Sequence, residues 1–347
     1  MLRSTELQKQ QQITSKLLFR HETILFIIMI VFGVVVNSIN PAFLKVENLF
    51  DILKTSSITG MMALGVMVVM ISSGMDISFT AIATVSMGVT VRMLIALDKG
   101  NIVVAFLVAG IIGALLGCIN GFLVYRFKLP TLIVTLGTSS IFHGLLLSIL
   151  KIPYLYTVPG YYSDFSRLSL FTFTTADGAV VGFSYLTVLL FVMACVVWLI
   201  LRFTMVGRGI YAIGGSIEAA KRAGFNILFI QLFIYSFIGF VSGVASIEYV
   251  VMFRHVHPFN MMNMMNMMLN VIAAVVLGGT SINGGTGTVL GTLFGVWMIY
   301  MITNSLILMG IPSEWESVVI GFILILSIGV NAYQKSLRKV EVKIIES

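Results

Sequence analysis

The chain has 347 residues, 58% of them hydrophobic and only 10% charged, with a mean hydropathy of +1.04. The polar minority of a water-soluble domain could not cover that much apolar surface, so the bilayer has to be its solvent. The net charge of +7 gathers at the termini and a few inter-helix sites, without the basic face and stacking aromatics that nucleic-acid binding requires.

Residues 1–22 are polar and lack the short apolar core and small-residue cleavage site of a signal peptide, so the first apolar run, Thr23 to Asn37, is expected to stay as a span. Apolar runs follow at 24–39, 58–71, 79–97, 102–125, 131–150, 184–202, 227–251, 264–277, 286–309 and 315–333. They are continuous rather than alternating, which excludes a membrane barrel. The expected fold is all-α: a polytopic helical membrane protein of about ten transmembrane helices in one domain over residues 23–333. Segments 1–22 and 334–347 flank it.

Basic residues set the orientation. Arg3, Lys9, Lys16 and Arg20 precede the first run; Arg126 and Lys128 follow the fourth; Arg202, Arg208, Lys221 and Arg222 follow the sixth; Lys335, Arg338, Lys339 and Lys343 follow the last. If every run crosses and both termini are cytoplasmic, all four groups lie inside, as the positive-inside rule expects. The longest outer connection is then Lys151 to Phe183, with Tyr154, Tyr156, Tyr161, Tyr162, Phe171 and Phe173. These aromatics are expected in the headgroup belt, with partner docking as the sharper alternative.

Two runs, 58–71 and 264–277, are short and end in breaking residues, at 72–78 and 278–285. Fourteen helical residues reach only ~21 Å, less than the ~30 Å hydrocarbon core. Irregular backbone at membrane depth survives only inside protein or beside water, so the two breaks mark a discontinuous transport path.

Asp76 stands alone among apolar and small residues, and either lines the path or caps the following helix, roles that are compatible. Asn120 and Asn270, in apolar runs, are first of all interhelical hydrogen-bond partners. Glu248 can pair with Arg254. Cys118 and Cys195, far apart in sequence, are expected to be buried small hydrophobes rather than a disulfide or metal pair. The Gly-rich stretch 278–287 lacks the lysine of a phosphate loop, and Gly207-Arg208-Gly209 lacks the third glycine of a dinucleotide fingerprint, so close helix packing is the reading for both. The Met-Asn repeat 261–268, beside His255 and His257, offers soft ligands without a thiolate or carboxylate to complete a site; adaptable methionines filling a core or lining a path fit it better than a metal centre. His21 and His143 are scattered, and neither a Ser/His/Asp set nor a carboxylate pair is present, so no enzymatic chemistry and no metal site is expected.

Several stretches resemble one known family in order along nearly the whole chain. Asn48-Leu-Phe-Asp-Ile-Leu53, Ala63-Leu-Gly65 and Ser73-Gly-Met-Asp-Ile-Ser78 are similar to the N-terminal signature of the ribose-type ABC sugar permeases. Gly117-Cys-Ile-Asn-Gly121, Pro130-Thr-Leu-Ile-Val-Thr-Leu-Gly137, Gly207-Arg-Gly-Ile-Tyr-Ala-Ile-Gly-Gly215 and, most specifically, Ile272-Ala-Ala-Val-Val-Leu-Gly-Gly-Thr-Ser281 resemble later blocks. The resemblance implies a permease subunit of a bacterial sugar importer in the inner membrane, acting as a homodimer. Its implied partners are a cytoplasmic ATP-binding subunit and a periplasmic or lipid-anchored solute-binding protein. No cofactor of its own is implied, because ATP is bound by the partner subunit. It further implies that Glu218, Ala219, Ala220 and Gly224, in the basic loop of about 203–226 with Arg208, form the helix that docks on the ATPase. The family's acidic pair before Ile272 is replaced here by Met268 and Asn270, and an arginine common before Gly144 is His143, departures that bear on substrate more than class.

The expected path surfaces are Ser73, Asp76, Ser78, Asn120, Asn270, Thr280, Ser281 and Asn283. These groups are polar and almost uncharged, which suits a small neutral hydroxylated solute. The rival readings are a self-sufficient secondary transporter or channel, with Asp76 as its ion-coupling group, and an integral membrane enzyme.

Overall fold

The computed structural model describes residues 21–98, 100–151, 154–175, 178, 180–256, 261–312, 314–322, 325 and 329. The terminal basic clusters and His257 lie outside them, and of Met261 to Met265 only the backbone is described. In chain order the elements are α1 (His21–Ile39), α2 (Val46–Ile71), α3 (Phe79–Leu97), α4 (Ile102–Phe127), and α5 (Thr131–Leu145), the last prolonged by a wider turn to Leu150. A small outer unit follows: α6 (Gly160–Arg167) and the strands β1 (Ser169–Thr174) and β2 (Val180–Ser184). Then come α7 (Tyr185–Phe203), α8 (Met205–Gly215), α9 (Ile217–Arg222), α10 (Ile227–Phe253), α11 (Met261–Leu277) and α12 (Val289–Leu308). A last helical segment, α13, covers residues 314–322.

Eight of these helices are long and apolar enough to cross a membrane; nine of the ten apolar runs coincide with helices, and the tenth begins in one, its later part lying largely outside the described residues. The protein is therefore a polytopic helical membrane protein. One expectation fails at its centre: the run 58–71 is not a short segment. Its helix starts at Val46 and has 26 residues, about 39 Å at 1.5 Å per residue. Glu47, Asp51 and Lys54 interrupt the apolar pattern of its first turns without interrupting the helix. From Ser56 to Ile71 every residue is buried, because α7, α10, α11 and α12 all pack around α2. The core sits there.

Packing of α4 on α10 uses glycine. A Cβ on Gly117 would run into the Tyr235 carbonyl oxygen, and one on Gly113 into that of Gly239, so the two backbones touch. Cys118 on α4 is only half-buried, and Cys195, expected in the interior, is exposed on the outer face of α7; both are free thiols. The face is apolar, with Val192, Val196 and Leu199 exposed on the same helix.

The connections alternate between two ends of the bundle. At one end lie the start of α1, the breaks after α2 and α11, the start of α5, and the α8–α9 segment. His21 Nε2 meets the Leu277 carbonyl oxygen at 2.8 Å there, and Met75 N–H donates to Thr131 Oγ1 at 2.9 Å. At the other end Asn48 and Asn304 exchange amide hydrogen bonds at 2.9 Å, and Leu155 bridges to Val256.

The connection between Lys151 and Phe183 carries secondary structure of its own. Strands β1 and β2 form an antiparallel hairpin, Thr172 opposite Gly182, and Phe50 of α2 packs edge-on against Phe171, Phe173 and Phe183. Tyr162 is fully buried. The pairing expected for Glu248 is absent. Arg254 instead donates to Ser166 Oγ at 3.2 Å, while both Glu248 carboxylate oxygens are buried without a hydrogen-bond partner among the described residues.

Candidate functional site

Helix capping shapes the segment between α7 and α10. Thr204 accepts from Gly207 N–H, Ser216 from Ala219 N–H and Asn226 from Phe229 N–H, so three small polar residues restart the helix three times within one connection. The result is two short helices against the bundle end. On α9 and just beyond it, Glu218, Ala219, Lys221, Arg222 and Gly224 are exposed, Ala220 is buried as the anchor, and Gly224 turns the chain at φ +86°. Arg208 is exposed on α8.

The last turn of α8 is wedged into the two breaks. Ser73, held at φ +62° after α2, has its hydroxyl 2.9 Å from the Gly214 carbonyl oxygen and 2.8 Å from that of Asn283. Gly285 N–H donates to the Ile71 carbonyl at 2.8 Å, and Tyr211 of α8 donates to Gly287 O at 2.8 Å. A side chain on Gly214 would strike the Ile71 carbonyl, and one on Gly284, at φ +82°, would strike Ser73. The breaks at 72–78 and 278–288 thus meet each other and α8 at one junction. Ser281 shapes its own loop, its N–H donating to Thr286 O at 3.0 Å and its carbonyl accepting from Gly284 N–H. Thr280 is buried behind that loop.

A second group lies deeper. Asp76 Oδ1 accepts from both the N–H and the hydroxyl of Ser78 at 2.7 Å, closing the turn that launches α3. Asn120 of α4 donates to the Ser78 hydroxyl at 2.7 Å. All three are at most 1% exposed. Asp76 Oδ2, Asn120 Oδ1 and the Tyr235 hydroxyl, around the same pocket of polar atoms, have no hydrogen-bond partner among the described residues. Burial pushes the Asp76 carboxyl, which sits in the loop between spans, up to about 6 against the opposing hydrogen bonds from Ser78. Of the two readings of Asp76 given above, these contacts bear on the cap: it holds the turn at the start of α3.

Asn270 joins neither group. It lies midway along α11 and donates to Glu316 Oε1 of α13 at 3.2 Å. The eight residues expected to share a path therefore divide into a junction (Ser73, Thr280, Ser281, Asn283), a buried support (Asp76, Ser78, Asn120) and a separate interhelical pair. Sequence reading missed Tyr211, Thr131, Thr135, Tyr235 and Glu316. Thr131 and Thr135 accept from Met75 and Ile77 N–H and Tyr211 donates to Gly287 O, roles set by which backbone faces them, while Tyr235 packs its own carbonyl against Gly117 of α4. Glu316 carried a visible signal, an acid inside the last apolar run.

The chain matches the family described as branched-chain amino acid transport system / permease component over residues 48–328. A ribose import permease of Haemophilus influenzae is 30% identical across 89% of this chain and 92% of its own length, and that of Bacillus subtilis is 31% identical across 87% and 90%. A galactose/methyl galactoside import permease of Escherichia coli is 29% identical across 91% and 95%. No solved structure matches. A helical membrane bundle, matched along nearly its whole length and carrying the signature blocks at its two helix breaks, belongs to the permease-component family of ABC importers, alongside the ribose-type sugar permeases.

Proposed function

We infer that the chain is the membrane-spanning subunit of an ATP-driven importer in the bacterial inner membrane that moves a small neutral sugar or sugar-like solute. Two copies flank the path, a separate subunit binds ATP on the cytoplasmic side, and a solute-binding protein delivers the solute outside. The observation that carries this reading is the junction of Ser73, Gly214 and Asn283, which fastens the two helix breaks to the α8–α9 segment.

The basic residues of the α4–α5 and α7–α10 connections put that end in the cytoplasm, with residues 1–22 and 334–347 on the same side. There α9 offers Glu218, Ala219 and Gly224 outward as the coupling surface, with Arg208 beside it. ATP-driven movement of α9 pulls on α8, and α8 has to move the ends of α2 and α11 with it because their backbones are in contact. The path opens or shuts where Ser73, Ser281 and Asn283 line it, while Asp76, Ser78, Asn120 and Thr280 support the lining from behind. Relatives named for ribose and galactose import favour a neutral hydroxylated solute. Uncharged hydroxyl and amide groups would bind such a solute without trapping it.

The test is purification from the native host in mild detergent. An ATPase should co-purify with the unsubstituted chain and be lost when Glu218 and Ala219 are both replaced by Trp, with the permease still monodisperse because both positions are exposed. An unsubstituted chain that drives solute uptake alone under an ion gradient would replace this reading with a secondary transporter.

A further inference from the structure

Glu316 is a carboxylate placed where lipid would not tolerate it. It lies on α13 and receives the Asn270 amide at 3.2 Å from α11. Its charge also reaches the Tyr300 hydroxyl of α12, which is itself 2.7 Å from Thr59 Oγ1 in the middle of α2. The acid, in the first described turn of α13, therefore meets the interiors of α11 and α12 and not their ends. No lysine, arginine or histidine occurs in α11, α12 or residues 310–322, so these segments hold no cation to neutralise it. Both Asn270 and Glu316 are only half-buried, and Asn266, one turn along α11, is exposed.

An ionised carboxylate at the bilayer centre costs ~3 kcal/mol on insertion scales, and acyl chains offer amides no hydrogen bonds. A face that carries Asn266, Asn270 and Glu316 therefore turns away from lipid and toward water. Another face of α13 behaves otherwise: Trp315, Val318 and Phe322 are exposed there, an apolar stripe suited to acyl chains, and α1 likewise exposes Val31, Val34 and Val35.

Resting on the importer reading above, we propose that Glu316, oriented by Asn270, is a solute-recognition group on the wall of the path, where its carboxylate accepts hydrogen bonds from hydroxyls of a neutral polyol. The Asn270 amide occupies Oε1 and fixes the plane of the carboxyl. Among the described residues Oε2 and the Asn270 carbonyl oxygen accept from no other side chain, so the pair offers two acceptors, and adjacent hydroxyls of a sugar present two donors. A polyol satisfies both acceptors in a single contact and leaves no net charge behind, so it can depart again.

The experiment uses the complete transporter with its ATPase and binding protein, in a background in which Cys118 and Cys195 are replaced by Ser. Glu316→Cys, and separately Asn270→Cys, are exposed to a charged, membrane-impermeant methanethiosulfonate; Val34→Cys is the lipid-facing control. Both path positions should label and the control should not. Protection is read at Asn266→Cys, which leaves Glu316 and Asn270 intact: a solute at about ten times its dissociation constant should slow labelling there about tenfold, and adding Glu316→Gln should abolish the protection. The probes are ribose, galactose, glycerol and inositol, with glucosamine as the cationic comparison. Failure of both path cysteines to label overturns the placement on the path. Labelling slowed by none of the neutral polyols, or by glucosamine alone, overturns the recognition role. Co-purification of the ATPase with the unsubstituted chain reports on the importer reading separately, and with each variant it reports on folding.

Discussion

The Ser73 hydroxyl lies 2.9 Å from the Gly214 carbonyl oxygen, tying the break after α2 to the last turn of α8. Ser73 also holds φ +62°, a left-handed conformation that a residue with a Cβ adopts at some cost. The residue is strained for the sake of a contact that glycine could not make. Ser73→Gly should relieve the backbone while deleting the hydroxyl. Thermal stability in detergent should hold or rise, and uptake per ATP hydrolysed should fall about fivefold, the equivalent of one hydrogen bond of ~1 kcal/mol. Unchanged uptake per ATP in proteoliposomes would remove Ser73 from the coupling chain.

Asp76 separates a structural from a charge effect. Asparagine can still accept from Ser78 through its Oδ1, so Asp76→Asn should keep the turn that starts α3, whereas Asp76→Ala should cost ~1 kcal/mol or more as a lost cap. Because burial raises the folded carboxyl to about 6, above its usual 3.8, the folded state binds the proton more tightly than the unfolded chain. Stability should therefore increase as pH falls through about 6 toward about 4, and Asp76→Asn should flatten that rise. Melting curves of both proteins at pH 7.5 and 5.5 measure it. Equal shifts in the two would place the titration elsewhere. If Asp76→Asn leaves transport and assembly intact, the residue supports α3 and takes no part in the path.

At the outer end Phe50 holds the hairpin. Its ring lies 6.2, 5.8 and 5.5 Å from those of Phe171, Phe173 and Phe183, each edge-on. Pairs of this kind are worth about 1 kcal/mol each beyond their burial. Phe50→Ala should free β1 and β2 from α2 with the transmembrane bundle intact. Limited proteolysis of intact spheroplasts should then cut within residues 169–184 several times faster than in the unsubstituted protein, and an unchanged rate would show that the hairpin is held by other contacts.

Much of this architecture was legible because the bilayer imposes a length and an apolar composition on each span. That constraint located the eight spanning helices, α11 and the start of α13, together with the two breaks. It misjudged α2, since Glu47, Asp51 and Lys54 occupy helical turns near the outer end, and hydropathy reports the solvent of a residue rather than its backbone. The junction was half visible. Glycines and small polar residues announced irregular backbone, but the partner of Ser73 is a carbonyl 141 positions away, and one backbone carbonyl looks like any other in a sequence. Asn120 read correctly as an interhelical donor because an amide inside an apolar run needs a partner. Asn270 read correctly for the same reason, although its partner Glu316 was overlooked. Glu248 misled because proximity in sequence to Arg254 suggested a pair that the helix end turns apart.

The contact of α4 with α10 leaves no room for a single methyl group. A Cβ at Gly117 would meet the Tyr235 carbonyl oxygen, a backbone atom that cannot rotate away, whereas one at Gly137 on α5 has nothing within 4 Å. Gly117→Ala must push the two helices apart along the seam that also contains Gly113, Gly239 and Gly243. Since α10 carries Tyr235 and α4 carries Asn120, the displacement would reach the buried support behind the junction. Gly117→Ala is expected to lower stability by about 2 kcal/mol or more, as overpacking of a tight interface does. Gly137→Ala should be neutral or slightly stabilising, because alanine is the better helix former by about 1 kcal/mol. Detergent melting curves of the two variants, read by fluorescence-detected size exclusion, should fall on opposite sides of the unsubstituted protein. Equal behaviour would mean that the α4–α10 seam is looser than these backbone contacts imply.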